Sequence, residues 1–196
     1  MRITVFDTET TGLKHQKHEI IELAFITYVF DDEGNRKELS RFESKIKPEN
    51  IHLAEPEALA INGYDENEWK DAPEFSEIYD IVKEAFENSE LLMGQNLIFD
   101  LRFLNEMCKR NNLKTPNYPP YLDSKATADR LVSEGWIKRS SMDYLCEHYN
   151  IESHGRAHTA LVDCERTIKV WDKLQKDIGD EYEIYTFNSP YNRRRR

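Results

Sequence analysis

Three segments with strand character open the chain before the first long helical pattern, and this order limits the folds available to it. Residues 2–8 and 19–30 form the first two segments, and a polar turn at 31–35 leads to a third at about 36–47. A short turn joins neighbouring antiparallel strands, whereas parallel strands need a longer crossover. We therefore expect the sheet to begin as a three-stranded antiparallel unit.

Helices and strands alternate along the rest of the chain. The predicted segments are a short helix at 55–61, a helix at 73–88, a strand at 91–95, a helix at 97–111, a strand at 118–122 and helices near 124–133, 140–149 and 158–176. This order predicts an α/β fold with a mixed five-stranded sheet and helices on both faces. We expect one domain at 1–180 and a C-terminal tail at 181–196 that is basic at its end.

The composition is that of a globular protein of the cell interior. The chain has 196 residues, of which 39% are hydrophobic and 33% charged, and this length can bury a sizeable core. It contains no run of 18 apolar residues, and its N-terminus enters a strand without a signal-like segment. Its three cysteines have no CxxC spacing, which favours free thiols in a reducing setting. We expect a cytoplasmic protein without a membrane partner.

Two carboxylates lie at the end of the first predicted strand. Asp7 and Glu9 are two residues apart, so both side chains leave the same face of the sheet. Ile3 and Val5 share that parity, so the strand passes from apolar core into an acidic pair. Adjacent carboxylates raise each other's pKa unless a cation lies between them. The alternative is a pair of surface carboxylates at a strand end.

Two further aspartates could join this pair. Asp100 falls in the first turn of a predicted helix, where a capping role alone is the alternative. Asp163 would complete a set of four carboxylates, which offers the oxygen ligands that two Mg²⁺ ions require. Asp123 is the strongest competing carboxylate, and we interpret it as the N-cap of the helix at 124–133 rather than as a metal ligand.

A histidine lies five residues before Asp163. On a continuous helix this spacing would separate the two side chains by roughly 140°. His158 can therefore approach Asp163 only if it precedes the helix. Histidine is a poor ligand for Mg²⁺ and a better general base for water. The alternative is a surface or capping histidine.

The net charge of −10 disfavours a nucleic-acid partner at first sight, because phosphate binding depends on lysine and arginine. A basic rim around an acidic centre would suffice for an enzyme that grips a few nucleotides. Candidate rim segments are Lys14–His18, Arg102, Lys109–Arg110, Lys138–Arg139 and Arg156, although each alone is more typical of solvated surface charge. The terminal run of arginines at 193–196 is either a tail or a nucleic-acid contact.

Three segments together resemble a known family. FDTETTGL begins at Phe6, NLIFD ends at Asp100, and HTALVD spans residues 158–163. In this order they resemble the motifs of the DEDDh 3′→5′ exonucleases, which have a ribonuclease-H-like fold and include proofreading subunits and domains of DNA polymerases. Each motif alone is weak, whereas the ordered set covers nearly the whole chain and is specific.

The resemblance implies a catalytic role for each matched position. Two divalent cations, Mg²⁺ or Mn²⁺, would be held by the four carboxylates Asp7, Glu9, Asp100 and Asp163. His158 would take the proton of the attacking water, and the product would be a nucleoside 5′-monophosphate.

Five residues are predicted to bind or orient the substrate. Leu13 matches an apolar residue that the family often wedges beside the terminal base, and Thr8 and Thr10 flank the pocket where backbone N–H groups would contact the terminal nucleotide. Asn96 either caps its helix or orients the site. Phe103 is more typical of core, with a base-stacking platform as the alternative.

The resemblance favours an exonuclease on DNA, with single-stranded 3′ ends as substrate, because the TTGL segment looks more like that of the DNA-processing relatives. A DNA polymerase is a candidate partner. The alternatives are an exoribonuclease on the same fold and a non-catalytic module that binds a polymerase or nucleic acid. Neither the preferred sugar nor the oligomeric state follows from the sequence.

Overall fold

Five strands form one mixed sheet in the computed structural model, which describes residues 1–31, 33–152, 155, 158–179 and 186–187. The strands are β1 (Arg2–Thr10), β2 (Ile20–Phe30), β3 (Arg36–Lys45), β4 (Leu91–Gly94) and β5 (Tyr121–Asp123). Their order is β3-β2-β1-β4-β5, with the first three antiparallel and β4 and β5 parallel to β1. The predicted mixed sheet with an antiparallel start is confirmed.

Seven α-helices and a short 3₁₀ helix at Ile51–Leu53 connect and cover these strands in the described part of the chain. The α-helices are α1 (Pro56–Asn62), α2 (Glu66–Trp69), α3 (Phe75–Glu87), α4 (Leu97–Arg110), α5 (Ser124–Ser133), α6 (Met142–His148) and α7 (Ala160–Ile178). The sequence did not predict α2, a four-residue helix whose N-cap Asp65 accepts a hydrogen bond from the N–H of Asn67. A helix this short has no apolar periodicity to detect.

The last strand begins later than predicted. We expected it to start at Tyr118, but β5 starts at Tyr121. Two prolines at 119 and 120 explain the difference, because proline has no N–H to donate to a strand ladder. Tyr118 is nevertheless buried, as part of the core rather than of the sheet.

Each face of the sheet packs against its own set of helices. Ile3 and Val5 of β1 lie on the face covered by α7, where they join Cys164 and Trp171 in one apolar cluster. Phe6 lies on the opposite face, in a cluster built largely by α3 and α4. The period of two along β1 thus divides its residues between two cores.

This topology brings several element ends to one edge of the sheet. β1 and β4 are parallel, so the carboxyl end of β1 lies beside the segment that leads from β4 into α4. On the other side of β1, Glu9 is paired with Glu22 of β2. The start of α7 reaches the same edge, because the N–H of Ala160 donates to Glu22.

Part of the predicted tail lies against the sheet. Phe187 exchanges two backbone hydrogen bonds of 2.8 Å with Tyr121, and the two rings are stacked with centroids 5.4 Å apart. The arginines at 193–196 lie outside the described residues, as do residues 180–185. Among the described helices, none combines the length and the apolar character needed to cross a membrane.

Candidate active site

The acidic pair at the end of β1 lies in a cluster of carboxylates. Asp7 and Glu9 are both half-buried. Burial is the largest cause that raises the pKa of Asp7 well above its usual range, and the next is repulsion from four carboxylates, namely Asp100, Asp163, Glu9 and Glu22. The fold therefore brings together Asp7, Glu9, Asp100 and Asp163, the four carboxylates that the sequence predicts as metal ligands.

Asp100 lies in the first turn of α4 and is only 3% exposed. Its Oδ1 accepts hydrogen bonds from the N–H of Thr8 at 3.1 Å and from the Thr8 hydroxyl at 2.6 Å. Burial raises the pKa of Asp100 to about 7, and the hydrogen bonds from Thr8 oppose this rise. Thr8 thus ties the first turn of α4 to β1.

His158 and Asp163 approach the end of β1 from the start of α7. His158 has a left-handed backbone with φ of 62° and precedes the N-cap Thr159, so it lies outside the helix as the five-residue spacing requires. Ligand atoms of Glu9, His158 and Asp163 all lie within 4.8 Å of one another. Burial raises the pKa of the Asp163 carboxyl.

Arg166 is a site residue that sequence reasoning missed. Its Nη1 lies 3.1 Å from Oδ1 of Asp163, and its Nη2 lies 3.3 Å from Oδ1 of Asp143 at the start of α6. The guanidinium is largely buried and opposes the rise in the Asp163 pKa. The three-residue spacing from Asp163 on a helix was the available signal.

Asp123 supports the site from the end of β5. Its carboxylate accepts from the N–H groups of Lys125 and Ala126, which confirms its predicted role as the N-cap of α5. The same oxygen accepts from the N–H of Asn96 at 2.9 Å. Asn96 is left-handed, with φ of 65°, and its side chain makes no capping bond to α4. Asp123 therefore fixes the backbone that leads into the helix of Asp100.

Two predicted substrate contacts are used inside the protein instead. The N–H of Thr8 donates to Asp100, and so is not available to a nucleotide in this conformation. The Thr10 hydroxyl donates to the carbonyl of Gly12 at 2.9 Å, and the Thr10 carbonyl accepts from the Asn62 side chain at 2.8 Å. Both threonines are buried and shape the end of β1 rather than presenting a surface.

Leu13 projects from a tightly built turn. It is 75% exposed, as a residue that contacts a base would have to be. The turn leaves no room for a side chain at Gly12, where a Cβ would lie 2.3 Å from Nδ1 of His18. That Nδ1 accepts from the N–H of Lys14 at 3.0 Å. The buried His18 thus fixes the turn that presents Leu13.

The aromatic prediction on α4 needs a correction. Phe103 is 1% exposed and belongs to the core, so its ring has no free face for a base. Phe99 is half-buried and packs on Phe103 with ring centroids 4.8 Å apart. The four-residue spacing places both rings on one side of α4, and only the one in its first turn reaches the surface.

The donor set fits divalent cations. Carboxylate oxygens are the ligands that Mg²⁺ and Mn²⁺ prefer. A bound cation would offset the repulsion from neighbouring carboxylates that, after burial, raises the pKa of Asp7. The guanidinium of Arg166 already offsets part of the negative charge of Asp163.

Comparison with known proteins identifies the family. The family model for exonucleases of the RNase T type matches residues 4–171, which include all five predicted catalytic residues. The chain belongs to this RNase T exonuclease family. The predicted family and enzyme class are confirmed.

Two relatives from this exonuclease family carry different names. The epsilon subunit of DNA polymerase III from Escherichia coli strain K12 is 31% identical over 179 residues, which cover 87% of this chain and 70% of the relative. Ribonuclease T from Shewanella oneidensis strain MR-1 is 31% identical over 180 residues, which cover 85% and 78%.

A solved structure of the exonuclease class shares the fold. The nuclease domain of 3′hExo, a DEDDh family member bound to rAMP, has a TM-score of 0.73 and 18% identity. The match covers 94% of this chain and 96% of that domain. It confirms the ribonuclease-H-like exonuclease fold.

Proposed function

We propose that this exonuclease hydrolyses single-stranded DNA from its 3′ end, with two divalent cations, and releases nucleoside 5′-monophosphates. The convergence of Glu9, His158 and Asp163 within 4.8 Å carries this proposal. Asp7 and Asp100 complete the proposed set, since repulsion from Asp100, Asp163 and Glu9 contributes to the raised pKa of Asp7.

Asp7, Glu9, Asp100 and Asp163 would hold Mg²⁺ or Mn²⁺. When bound, these cations would lower the pKa of the attacking water and offset the charge that gathers on the scissile phosphate. Burial and then repulsion from Asp100, Asp163 and Glu9 raise the pKa of Asp7, which supports placing Asp7 in the same cation site as these three carboxylates.

His158 would accept the proton from the attacking water. It is exposed, and one of its ring nitrogens lies within 4.8 Å of carboxylate oxygens of Glu9 and Asp163. The attraction between His158 and the Asp163 carboxylate also lowers the pKa of Asp163.

Leu13 and Phe99 are our proposed contacts for the terminal nucleotide. Leu13 is exposed at the tip of a fixed turn, and Phe99 is half-buried in the first turn of α4, one residue before Asp100. Both offer apolar surface to a base near the carboxylates. Asn96, with an exposed side chain, offers polar groups at the same helix start.

Two relatives frame the choice of substrate and setting. One is named as a DNA polymerase III subunit, which supports a role in replication or repair beside a polymerase. The other is named ribonuclease T, which supports an exoribonuclease as the second candidate. The resemblance of the TTGL segment to that of DNA-processing relatives supports DNA as the first candidate. We place this activity in a domain at 1–180. Its three cysteines are free and buried, which supports a reducing intracellular setting.

The test is an assay of DNA and RNA oligomers of one sequence, labelled at the 5′ or the 3′ end. We expect a ladder of shortened 5′-labelled DNA and immediate release of the 3′ label with Mg²⁺ or Mn²⁺, and none with EDTA. Asp7→Ala should abolish the products, and Asp71→Ala, a change at an exposed turn, should not. Faster shortening of RNA would favour the second candidate. No product from either polymer with either metal would refute the enzymatic proposal.

A further inference from the structure

Glu22 is a buried carboxylate beside the candidate active site that the roles above leave unexplained. It lies on β2 directly opposite Glu9 in the antiparallel pairing with β1. One of its oxygens, Oε1, accepts a hydrogen bond of 2.8 Å from the backbone N–H of Ala160. Burying a carboxylate beside other carboxylates is unfavourable, so its place needs a specific reason.

The start of α7 supplies that reason. The first N–H groups of a helix have no partner within the helix, and a side chain just before the helix usually accepts one of them. The N-cap residue Thr159 makes no such capping bond with its side chain. Glu22 accepts from the first helical residue, Ala160, from a strand 138 residues away in the sequence. Its negative charge also suits the positive end of the helix dipole.

Ala160 stands between two of the candidate catalytic residues. His158 lies two residues before it, in a left-handed backbone that a residue other than glycine adopts only when its surroundings hold it there. Asp163 lies one helical turn after it, and its N–H donates to the Thr159 carbonyl at 3.0 Å. A constraint on Ala160 therefore acts on both side chains.

We propose that Glu22 is a positioning residue that ties the first turn of α7 to β2 and so holds His158 and Asp163 against Glu9. This inference rests on the proposed function for its catalytic meaning, but the tie itself can be measured without activity. A competing role is a further metal ligand, and the two roles differ in what they need. A hydrogen-bond acceptor is enough for the tie, whereas a carboxylate binds Mg²⁺ or Mn²⁺ much more strongly than the neutral amide of glutamine.

The experiment compares Glu22→Gln and Glu22→Ala with the wild type. Glutamine keeps an acceptor oxygen at nearly the same place, and alanine removes it. Thr27→Val is the matched control. Thr27 lies on β2 like Glu22, but its side chain points to the opposite face of the sheet. The substitution removes a buried hydroxyl bond of 2.7 Å between Thr27 and Thr4 of β1. The readouts are hydrogen exchange of the Ala160 amide, Mn²⁺ affinity by calorimetry, and kcat and KM on an oligonucleotide.

We expect Glu22→Ala to lower both Mn²⁺ affinity and kcat by about 10- to 100-fold, with faster exchange at Ala160 and little change in KM. Glu22→Gln should restore amide protection and most of kcat, and Thr27→Val should stay within about 3-fold of the wild type. The inference is overturned if Glu22→Ala leaves exchange at Ala160 unchanged. It is also overturned if Glu22→Gln loses as much amide protection and kcat as Glu22→Ala. The same holds if Thr27→Val loses as much kcat as Glu22→Ala when the two variants are folded to the same extent.

The three readouts separate this inference from the proposed function. A wild type without exonuclease activity would refute the proposed function, while exchange at Ala160 would still test the tie. An active wild type with unchanged exchange in Glu22→Ala would refute the tie alone.

Discussion

Replacing Asp100 by asparagine should stabilise the metal-free protein at alkaline pH. The buried carboxyl has its pKa raised from 3.8 to about 7 in the folded chain. The folded state therefore binds more protons than the unfolded state between these two values, so stability is lost as the pH rises through this window. Asparagine cannot ionise, and its carbonyl can still accept the hydrogen bond from the Thr8 hydroxyl.

The size of the effect follows from the same two values. A difference of about 3 pKa units corresponds to at most about 4 kcal/mol of stability between pH 4 and pH 8. For a chain of 196 residues this is about 10 °C in the melting temperature. We expect Asp100→Asn to equal the wild type near pH 4 and to exceed it by about 2–4 kcal/mol at pH 8.

The assay is urea unfolding in EDTA from pH 4 to pH 9, for the wild type, Asp100→Asn and the exposed control Asp71→Asn. Saturating Mg²⁺ at pH 8 should stabilise the wild type more than Asp100→Asn, because the variant keeps three of the four proposed carboxylate ligands and lacks the charge at Asp100 that a cation would offset. Parallel stability curves for the wild type and Asp100→Asn across this range would refute the electrostatic reasoning.

Three further substitutions test separate contacts. Thr8→Val removes the hydroxyl bond that lowers the pKa of Asp100, so Mn²⁺ affinity should fall by about 10-fold at pH 7 and recover at pH 9, as calorimetry would show; an equal loss at both pH values would contradict this role. Arg166→Met should cost about 1–3 kcal/mol of stability in EDTA, and less in saturating Mg²⁺, because a cation can take the place of the guanidinium at Asp163; a gap that Mg²⁺ leaves unchanged would count against it. Phe103→Ala should cost about 3–5 kcal/mol in urea unfolding while the KM of the folded enzyme stays within about 2-fold, and a KM raised about 10-fold would restore the stacking platform.

Local geometry made part of the site predictable. The pairing of Asp7 with Glu9 needs only the period of two along a strand, and β1 supplies it. The position of His158 before α7 follows from its spacing to Asp163, because a helix would have separated them. The N-cap role of Asp123 rests on a strand that runs directly into a helix. Each of these depends on a few consecutive residues.

The remaining features depend on contacts between distant segments. Glu22 stands in a strand of mostly buried apolar residues, and nothing near it in the sequence indicates that its partner is Ala160. Thr8 was predicted as a substrate contact. Its actual partner, Asp100, is 92 residues away, so no local pattern indicated that its N–H is already used within the protein. The sequence left a base-stacking platform open as the alternative for Phe103, because the amphipathic pattern of α4 does not reveal which apolar residue lies at the rim of the core. Tertiary packing decides such cases.

Three hydrogen-bonded contacts between distant segments have the same effect, which is to attach the helices that carry the site carboxylates to the sheet. Thr8 binds Asp100, Asp123 binds the backbone before the same helix, and Glu22 binds the start of the helix that carries Asp163. Without cations the clustered carboxylates repel one another. This repulsion tends to push apart the strand and helices that carry them, so other contacts must hold these elements together. Backbone and hydroxyl donors attach each element to the sheet independently of the metal. These bonds would hold the carboxylates close together before a divalent cation binds, so that little ordering would oppose its binding.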